Sequence, residues 1–363
     1  MSTLTKEEVL DSIRVVKDPD LHRDIVSLGM VKDIEIEGAK VFVHVELTTP
    51  ACPLKEQIKE DVRNAVLTLN GVKEVSVQMS ANVRRSTGIP SQGVPSGIKN
   101  VIAVASGKGG VGKSTVCVNL AVALAKTGAR VGLMDGDIYG PNVPLMLGIP
   151  RDERPSITPD DKIIPIDAYG LKVISMGVLV PPDSPMIWRG PMLHSAVVQF
   201  LQKVDWGELD YLLVDLPPGT GDVQLSLVQT VSVTGAAIVT TPQEVALMDV
   251  RKGIAMFQKT QVAILGVVEN MSSFICPHCN KETSIFSRGG GRKVAESSGV
   301  PFLGEIPIDP RIGEGGDLGK PIVVSHPESA AARQFFQVAG ILAQQISIVD
   351  ILGQKPVAVS MRN

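Results

Sequence analysis

The chain has 363 residues, with 35 Lys and Arg against 38 Asp and Glu, a formal charge of −3, and four cysteines. No basic block exceeds the pair Arg84-Arg85, so there is no electrostatic footprint for nucleic acid, and no apolar run reaches the ~20 residues that span a membrane. The first residues lack the apolar core of a secretory signal, and so few cysteines, two of them in one C-x-x-C, point to a reducing compartment; a cytoplasmic protein without membrane partners is expected.

The first predicted element is a short amphipathic helix opened by Thr5-Lys-Glu-Glu, with Thr3 or Thr5 as cap and with Val9, Ile13 and Val16 on one face. Val31–Ile36 and Lys40–Leu47 alternate as strands around Glu37-Gly-Ala, which reads as a hairpin. A helix from Cys52 to Leu69 and a strand at Val75–Gln78 complete a small α/β module. Asp18-Pro-Asp20 and Thr48-Thr-Pro-Ala-Cys52-Pro53 resemble the PaaD-like module found in iron–sulfur assembly factors. Cys52 would then stand at a helix start, where the dipole favours a thiolate; a capping thiol without chemistry is the alternative. The stretch after Arg84 carries the Gly, Pro and Ser of a flexible linker. The expected division is a small domain over 1–83, a linker over 84–98, a larger domain over 99–350 and a short tail over 351–363, both domains being long enough for a core.

Residues Gly107 to Thr115 read Gly-Lys-Gly-Gly-Val-Gly-Lys-Ser-Thr, between a buried strand at Val101–Ala105 and a helix at Ser114–Lys126. This fits G-x-x-x-x-G-K-[ST] in its required strand, loop and helix context. Gly107, Gly109, Gly110 and Gly112 allow the backbone N–H groups, with those of Val111 and Thr115, to close on phosphate at a helix N-terminus. Lys113 is expected on the β/γ-phosphates and the Ser114 hydroxyl on Mg²⁺. Val131-Gly-Leu-Met-Asp135-Gly-Asp137 reads as a second strand ending in two carboxylates, which at the carboxyl end of an open α/β sheet face the ligand. Tyr211-Leu-Leu-Val-Asp215 delivers a further carboxylate behind the direct ligands of Mg²⁺, ahead of the loop Leu216-Pro-Pro-Gly-Thr-Gly-Asp222.

Cys276-Pro-His-Cys279 follows the apolar run Val262–Val268 and precedes the glycine triplet Gly289–Gly291. Such a loop is half a zinc ribbon, a redox dithiol or part of an iron–sulfur site. Four thiolates within one chain would need Cys52 and Cys117 to converge on it, and Cys117, one turn into the helix after the glycine loop, reads as a buried small hydrophobe. A symmetric dimer supplies the four ligands of a [4Fe–4S] cluster from two copies of Cys276 and Cys279. Asn280-Lys-Glu-Thr-Ser is a poor helix continuation for an oxidising thioredoxin-like site. The cluster is the preferred reading, with zinc and a dithiol left open.

Lys108 resembles the additional lysine of the deviant Walker A motif, shared by nitrogenase iron protein, the Min and Par partition ATPases and the Mrp iron–sulfur carriers. The glycine loop, Asp135-Gly-Asp-Ile-Tyr-Gly-Pro-Asn-Val-Pro144, Trp188-Arg189-Gly-Pro-Met192, Asp215–Asp222 and the stretch from Glu269-Asn270-Met271 to Cys279 together resemble the Mrp family, from about Lys99 to about Gln345. The resemblance implies a P-loop NTPase fold, a mostly parallel sheet flanked by helices, beside the small N-terminal α/β domain. It implies a homodimer that binds and slowly hydrolyses ATP, holds a labile cluster at the interface and passes it to apo iron–sulfur proteins alongside assembly factors. By the same resemblance Lys108 reaches the partner's nucleotide, Asp137 orients the attacking water, Asp135 supports the Mg²⁺ shell or a switch loop, and Asn270 and Asp309 line the purine pocket. The rivals are a nucleotide-switched zinc-binding interaction protein and a Min- or Par-like positioning ATPase. The latter calls for a basic amphipathic C-terminal helix or a basic patch, and neither is evident in the tail Val349–Asn363.

Overall fold

The computed structural model describes residues 4–18, 21, 23–86, 95–137, 140–179, 190–219, 224, 233–276, 278–279 and 281–352. The linker core 87–94, Asp20, Trp188-Arg189, Thr220–Asp222 and the tail from 353 lie outside them. The chain separates into two units, 1–84 and 85–363.

In the first unit the helix Lys6–Ile13 is opened by Thr5 through a reciprocal capping box. Thr5 Oγ1 accepts the Glu8 N–H at 3.2 Å, and the Glu8 carboxylate accepts the Thr5 N–H at 2.8 Å. Val9 and Ile13 are buried on it, while Val16 is buried beyond its end. Strands β1 (Val31–Glu37) and β2 (Lys40–Leu47) form the antiparallel hairpin, and β2 pairs in parallel with β3 (Glu74–Ala81). The helix Lys55–Leu67 makes the crossover and buries Ile58, Val62 and Val66 in the same core. This helix begins later than expected. Cys52 precedes Pro53, whose ring disfavours helical backbone at the residue before it. Cys52 therefore sits in a turn ahead of the helix, its carbonyl accepting the Lys55 N–H at 3.3 Å, and Leu54 is the cap.

The second unit is built on one sheet. Its strands are β4 (Ile98–Ser106), β5 (Val131–Asp135), β6 (Ile166–Ala168), β7 (Leu171–Ser175), β8 (Leu209–Asp215), β9 (Gly235–Thr240), β10 (Ile264–Ile275), β11 (Glu282–Thr283) and β12 (Phe302–Ile308). The order is β11-β10-β9-β4-β8-β5-β7-β6, with β12 also on β10. Among these strands only β6 and β11 run antiparallel to their neighbours. Central strands such as β8 are buried along their whole length, the pattern of a sheet covered on both faces. The helix Lys113–Lys126 is one cover, and Ala330–Leu352 packs on it and on β12. The expected α/β architecture is present, and no described helix is long and apolar enough to cross a membrane.

Register positions the site. Val104 on β4 pairs with Asp215 on β8, and Asp215 pairs with Asp135 on β5. Both carboxylates thus leave neighbouring strands at the same level, next to the loop that follows β4.

At the opposite end of these strands Asp210 clamps the sheet. It accepts the Arg130 backbone N–H at 2.9 Å, its guanidinium at 3.1 Å and Lys99 Nζ at 3.0 Å. Burial alone would push this carboxyl up, but the hydrogen bonds from Arg130 and Lys99 outweigh burial and hold it below its ordinary value. A depressed folded-state pKa contributes stability that is present above the unfolded value of about 3.9 and is lost as pH falls through the folded value. Asp210→Asn is therefore expected to lower the unfolding free energy by about 1–3 kcal/mol at neutral pH. In urea titrations the difference from the parent chain should shrink once pH drops below about 4.

Candidate functional site

The glycine loop is shaped by what surrounds it. A side chain on Gly107 would meet the Asp249 and Val250 backbone at 2.6–2.8 Å, so the loop's start lies directly against the helix Glu244–Lys259. Gly112 has φ +79, and a Cβ there would fall 2.3 Å from Asn270 Nδ2. Gly112 is also the N-cap of Lys113–Lys126, and no described side chain caps that helix. Its first N–H groups are left for an anion, which the helix dipole also favours.

Lys113 is buried at the centre of the site. Its Nζ lies 2.7 Å from Asp215 Oδ1, 3.2 Å from Ser114 Oγ and 3.9 Å from Asp137 Oδ2. Asp135 accepts the Asp137 N–H at 3.1 Å through Oδ1 and the Ser175 hydroxyl at 2.9 Å through Oδ2. Burial raises the Asp215 carboxyl, with Lys113 pulling against it. Burial and then the Asp215 charge raise Asp135, opposed by Ser175, Asp137 and Lys113. Asp215 Oδ2 is buried and accepts no hydrogen bond among the described residues. Three carboxylates thus surround one lysine, and one inward oxygen, Asp215 Oδ2, is unpartnered among the described residues, a single oxygen of the kind a hard divalent cation takes alongside phosphate and water.

Asn270 lies on β10 and donates its amide to Val111 O at 2.9 Å, joining the loop to that strand. Asp309 caps the helix Pro310–Asp317 and pairs with the Arg311 guanidinium at 2.6 Å. Lys108 forms no ion pair among the described residues, and its carbonyl accepts the Ser106 hydroxyl at 3.0 Å.

Cys276 and Cys279 occupy the tip of the β10–β11 hairpin, where the Cys276 N–H donates to Lys281 O at 3.1 Å. Cys276 is half-buried and Cys279 exposed, and none of the four cysteines is in a disulfide. The backbone N–H groups of His278 and Cys279, then the Cys279 thiol, hold the Cys276 thiol below its ordinary value. Cys117 is buried inside the helix, where desolvation pushes its thiol well up, in keeping with a packing role. Among the described residues no group of three or more His, Cys, Asp or Glu is arranged to hold a metal, and in the larger unit Cys276 and Cys279 stand together without Cys117.

Two contributors carry little signal in the sequence. Ser175 reaches Asp135 only because β7 and β5 pair in register, and nothing but its place after an apolar strand hints at it. Glu269 is wholly buried and accepts the N–H groups of Gly289, at 2.8 Å, and of Gly291. A lone carboxylate ending the apolar run Val262–Val268 is its available signal.

A glycine loop running into a helix, with its lysine facing carboxylates on adjacent parallel strands, defines a P-loop nucleoside-triphosphate-binding protein. Residues 97–343 match the family described as NUBPL iron-transfer P-loop NTPase, and residues 6–78 match the iron–sulfur cluster assembly protein family. The iron–sulfur cluster carrier protein of Deinococcus radiodurans is 54% identical over 342 residues, covering 94% of this chain and 96% of that one. Its counterpart in Synechocystis is 49% identical over 352 residues, covering 96% and 100%. A nucleotide-binding protein from Archaeoglobus fulgidus, solved in complex with ADP, matches with a TM-score of 0.57 and 40% identity over 66% of this chain and 92% of that one. The chain belongs to the iron–sulfur cluster carrier family of P-loop NTPases.

The tightness of the loop has a direct consequence. Gly112→Ala forces a side chain into left-handed backbone and onto Asn270, and is expected to cost about 1–3 kcal/mol in urea unfolding. Gly109, with nothing within 4 Å of its missing side chain and no left-handed φ, should accept Ala within about 0.5 kcal/mol.

Proposed function

We propose that the chain binds ATP with Mg²⁺, hydrolyses it slowly, and acts as a homodimer that carries a [4Fe–4S] cluster to apo iron–sulfur proteins. The observation that carries the nucleotide half is the buried Lys113–Asp215 pair beneath an uncapped helix N-terminus. Arriving phosphate offers Lys113 a stronger charge-assisted partner, so Lys113 leaves Asp215 for the β/γ-phosphates. Ser114 Oγ, with the freed Asp215 behind it, would hold Mg²⁺, which when bound would supply positive charge to the phosphate oxygens. Asp137, fixed by its N–H to Asp135, orients the attacking water, and Asp135 is itself held by Ser175. Lys108 completes the partner's site across the dimer, and Asn270 and Asp309 border the purine.

For the cargo, Cys276 and Cys279 furnish two thiolates, and a second copy of the hairpin furnishes the other two. The names of the relatives and the matched families support this reading, and the four free thiols suit a cytoplasmic setting. The match of residues 6–78 to the iron–sulfur cluster assembly protein family supports a part for the N-terminal unit in assembly.

Lys113→Ala is expected to cut ATP turnover about 10²-fold or more while leaving cluster uptake intact. Undiminished turnover in the purified variant removes the loop from the reaction. Anaerobic reconstitution with iron and sulfide should yield one cluster per two chains, abolished by Cys276→Ala or Cys279→Ala and spared by Cys117→Ala. A cluster in a monomer contradicts the shared site, and stoichiometric zinc without iron uptake assigns the thiols a structural role.

A further inference from the structure

The sheet ends at β12, which pairs with β10 and with no other described strand. Such an edge carries a row of free N–H and C=O groups, and proteins ordinarily cover or blunt it. A cavity of about 690 Å³ lies here, and residues 302–305 and 307 of β12 line it. Consecutive strand residues point to opposite faces, so the cavity runs along the edge itself. Its walls are two helices. Gly290–Ser298 packs with Glu244–Lys259, and Ala330–Leu352 packs with Lys113–Lys126. The crossovers Glu244–Lys259 and Lys113–Lys126 lead in opposite directions along the sheet, which for right-handed connections puts these two pairs on opposite faces. Gly304 takes φ +145, and a Cβ there would stand 2.7 Å from Val338 Cγ2, so glycine lets the second wall close onto the strand. A single extended chain fits such a recess. The β12 edge of a second copy, sunk between its own helices, does not reach into it.

The walls differ in chemistry. Ala330, Gln334, Gln337 and Ile341 recur at helical spacing on one side, and the two amides bond to no described residue. Arg292 and Glu296 stand one turn apart on the other. The Arg292 guanidinium lies 4.4 Å over the Phe302 ring and reaches a carboxylate, Glu305, only at 3.8 Å. Arg288 already holds Glu305 at 2.8 Å and Glu282 at 2.9 Å. Glu296 pairs with no described cation. One free anion and one weakly partnered cation are left facing the recess.

We infer that the β12 edge is a docking groove for an extended segment of a partner protein, which adds as a strand and turns an acidic and a basic side chain, two residues apart, toward Arg292 and Glu296. The spacing follows from geometry: four residues of helix rise about 6 Å and two residues of strand about 6.6 Å. Apolar side chains on the segment's other face meet Ala330 and Ile341. Main-chain hydrogen bonds to the edge supply affinity that any sequence shares, and the two walls select the side chains. The helix Gly290–Ser298 runs against the direction of β12, so a parallel segment carries its basic residue first and an antiparallel one its acidic residue first. The groove does not depend on the nucleotide reading of the glycine loop.

The test uses the full-length chain without nucleotide and fluorescein-labelled peptides, with binding read by anisotropy and amide exchange of β12 by mass spectrometry. The probes are Thr-Val-Lys-Val-Glu-Val-Thr and Thr-Val-Glu-Val-Lys-Val-Thr. The control, Thr-Val-Lys-Glu-Val-Val-Thr, has the same composition with its charges on opposite faces. At least one probe should bind about threefold or more tighter than the control and slow amide exchange over residues 302–308. Arg292→Glu should weaken that probe about threefold or more and instead favour Thr-Val-Lys-Val-Lys-Val-Thr, a gain that a misfolded variant would not show. Gln337→Trp, which fills the recess from an exposed position, should weaken every peptide. Absence of binding by both probes at about 1 mM overturns the inference, as does equal binding of the control. Binding that leaves exchange over 302–308 unchanged overturns strand addition. Exchange that is already slow without peptide also overturns it, assigning the edge to a second copy if the protection grows with protein concentration and to this chain's own cover if it does not.

Discussion

The structure of the larger unit turns on the burial of Lys113 against Asp215. An ammonium and a carboxylate taken out of water are costly unless their geometry is good, and removing one partner leaves the other charge uncompensated. Here the 2.7 Å contact is made possible by the backbone. The parallel pairing of β4, β8 and β5 brings Asp215 level with Asp135 at the end of the glycine loop's own strand, and the helix N-terminus delivers Lys113 to the same point. The pair is still incompletely satisfied among the described residues, with Asp215 Oδ2 unpartnered and two further carboxylates nearby. A site with surplus negative charge and unused N–H donors suits a cation and an anion that arrive together.

The same shortage of space links the loop to its neighbours. Gly107 lies against one helix and Gly112 against Asn270, so neither position has room for a side chain. On β10 three roles occur in succession: Glu269 caps the helix Gly290–Ser298, Asn270 braces the loop, and the strand's end presents Cys276. The brace of the glycine loop and the first thiol of the C-x-x-C are therefore near neighbours along one strand.

Much of this is legible in the sequence because it is local. The glycine loop, its lysine and the helix after it are contiguous, and the apolar runs ending in Asp135 and Asp215 announce buried strands that deliver carboxylates. The Thr5 capping box and the hairpin at Gly38 likewise need only a few adjacent residues. Near Cys52, apolar periodicity alone carries the expected helix too far back, because it ignores the constraint that Pro53 places on the residue before it. Ser175 and Glu269 are out of reach for a different reason. Their partners are Asp135 and the backbone of Gly289 and Gly291, and those contacts exist only once strand register and the packing of a distant helix are set. The left-handed Met271 is equally silent in sequence, since methionine gives no turn signal.

If the Lys113–Asp215 pair is a resting arrangement, phosphate must replace it. A crystal structure of the full-length chain with Mg²⁺ and a non-hydrolysable ATP analogue decides the matter. Lys113 Nζ should then lie on the β/γ-phosphates, with Asp215 turned to the cation's shell and their 2.7 Å contact broken. Nucleotide bound in the loop with Lys113 still paired to Asp215 would refute the exchange of partners on which the proposed chemistry depends.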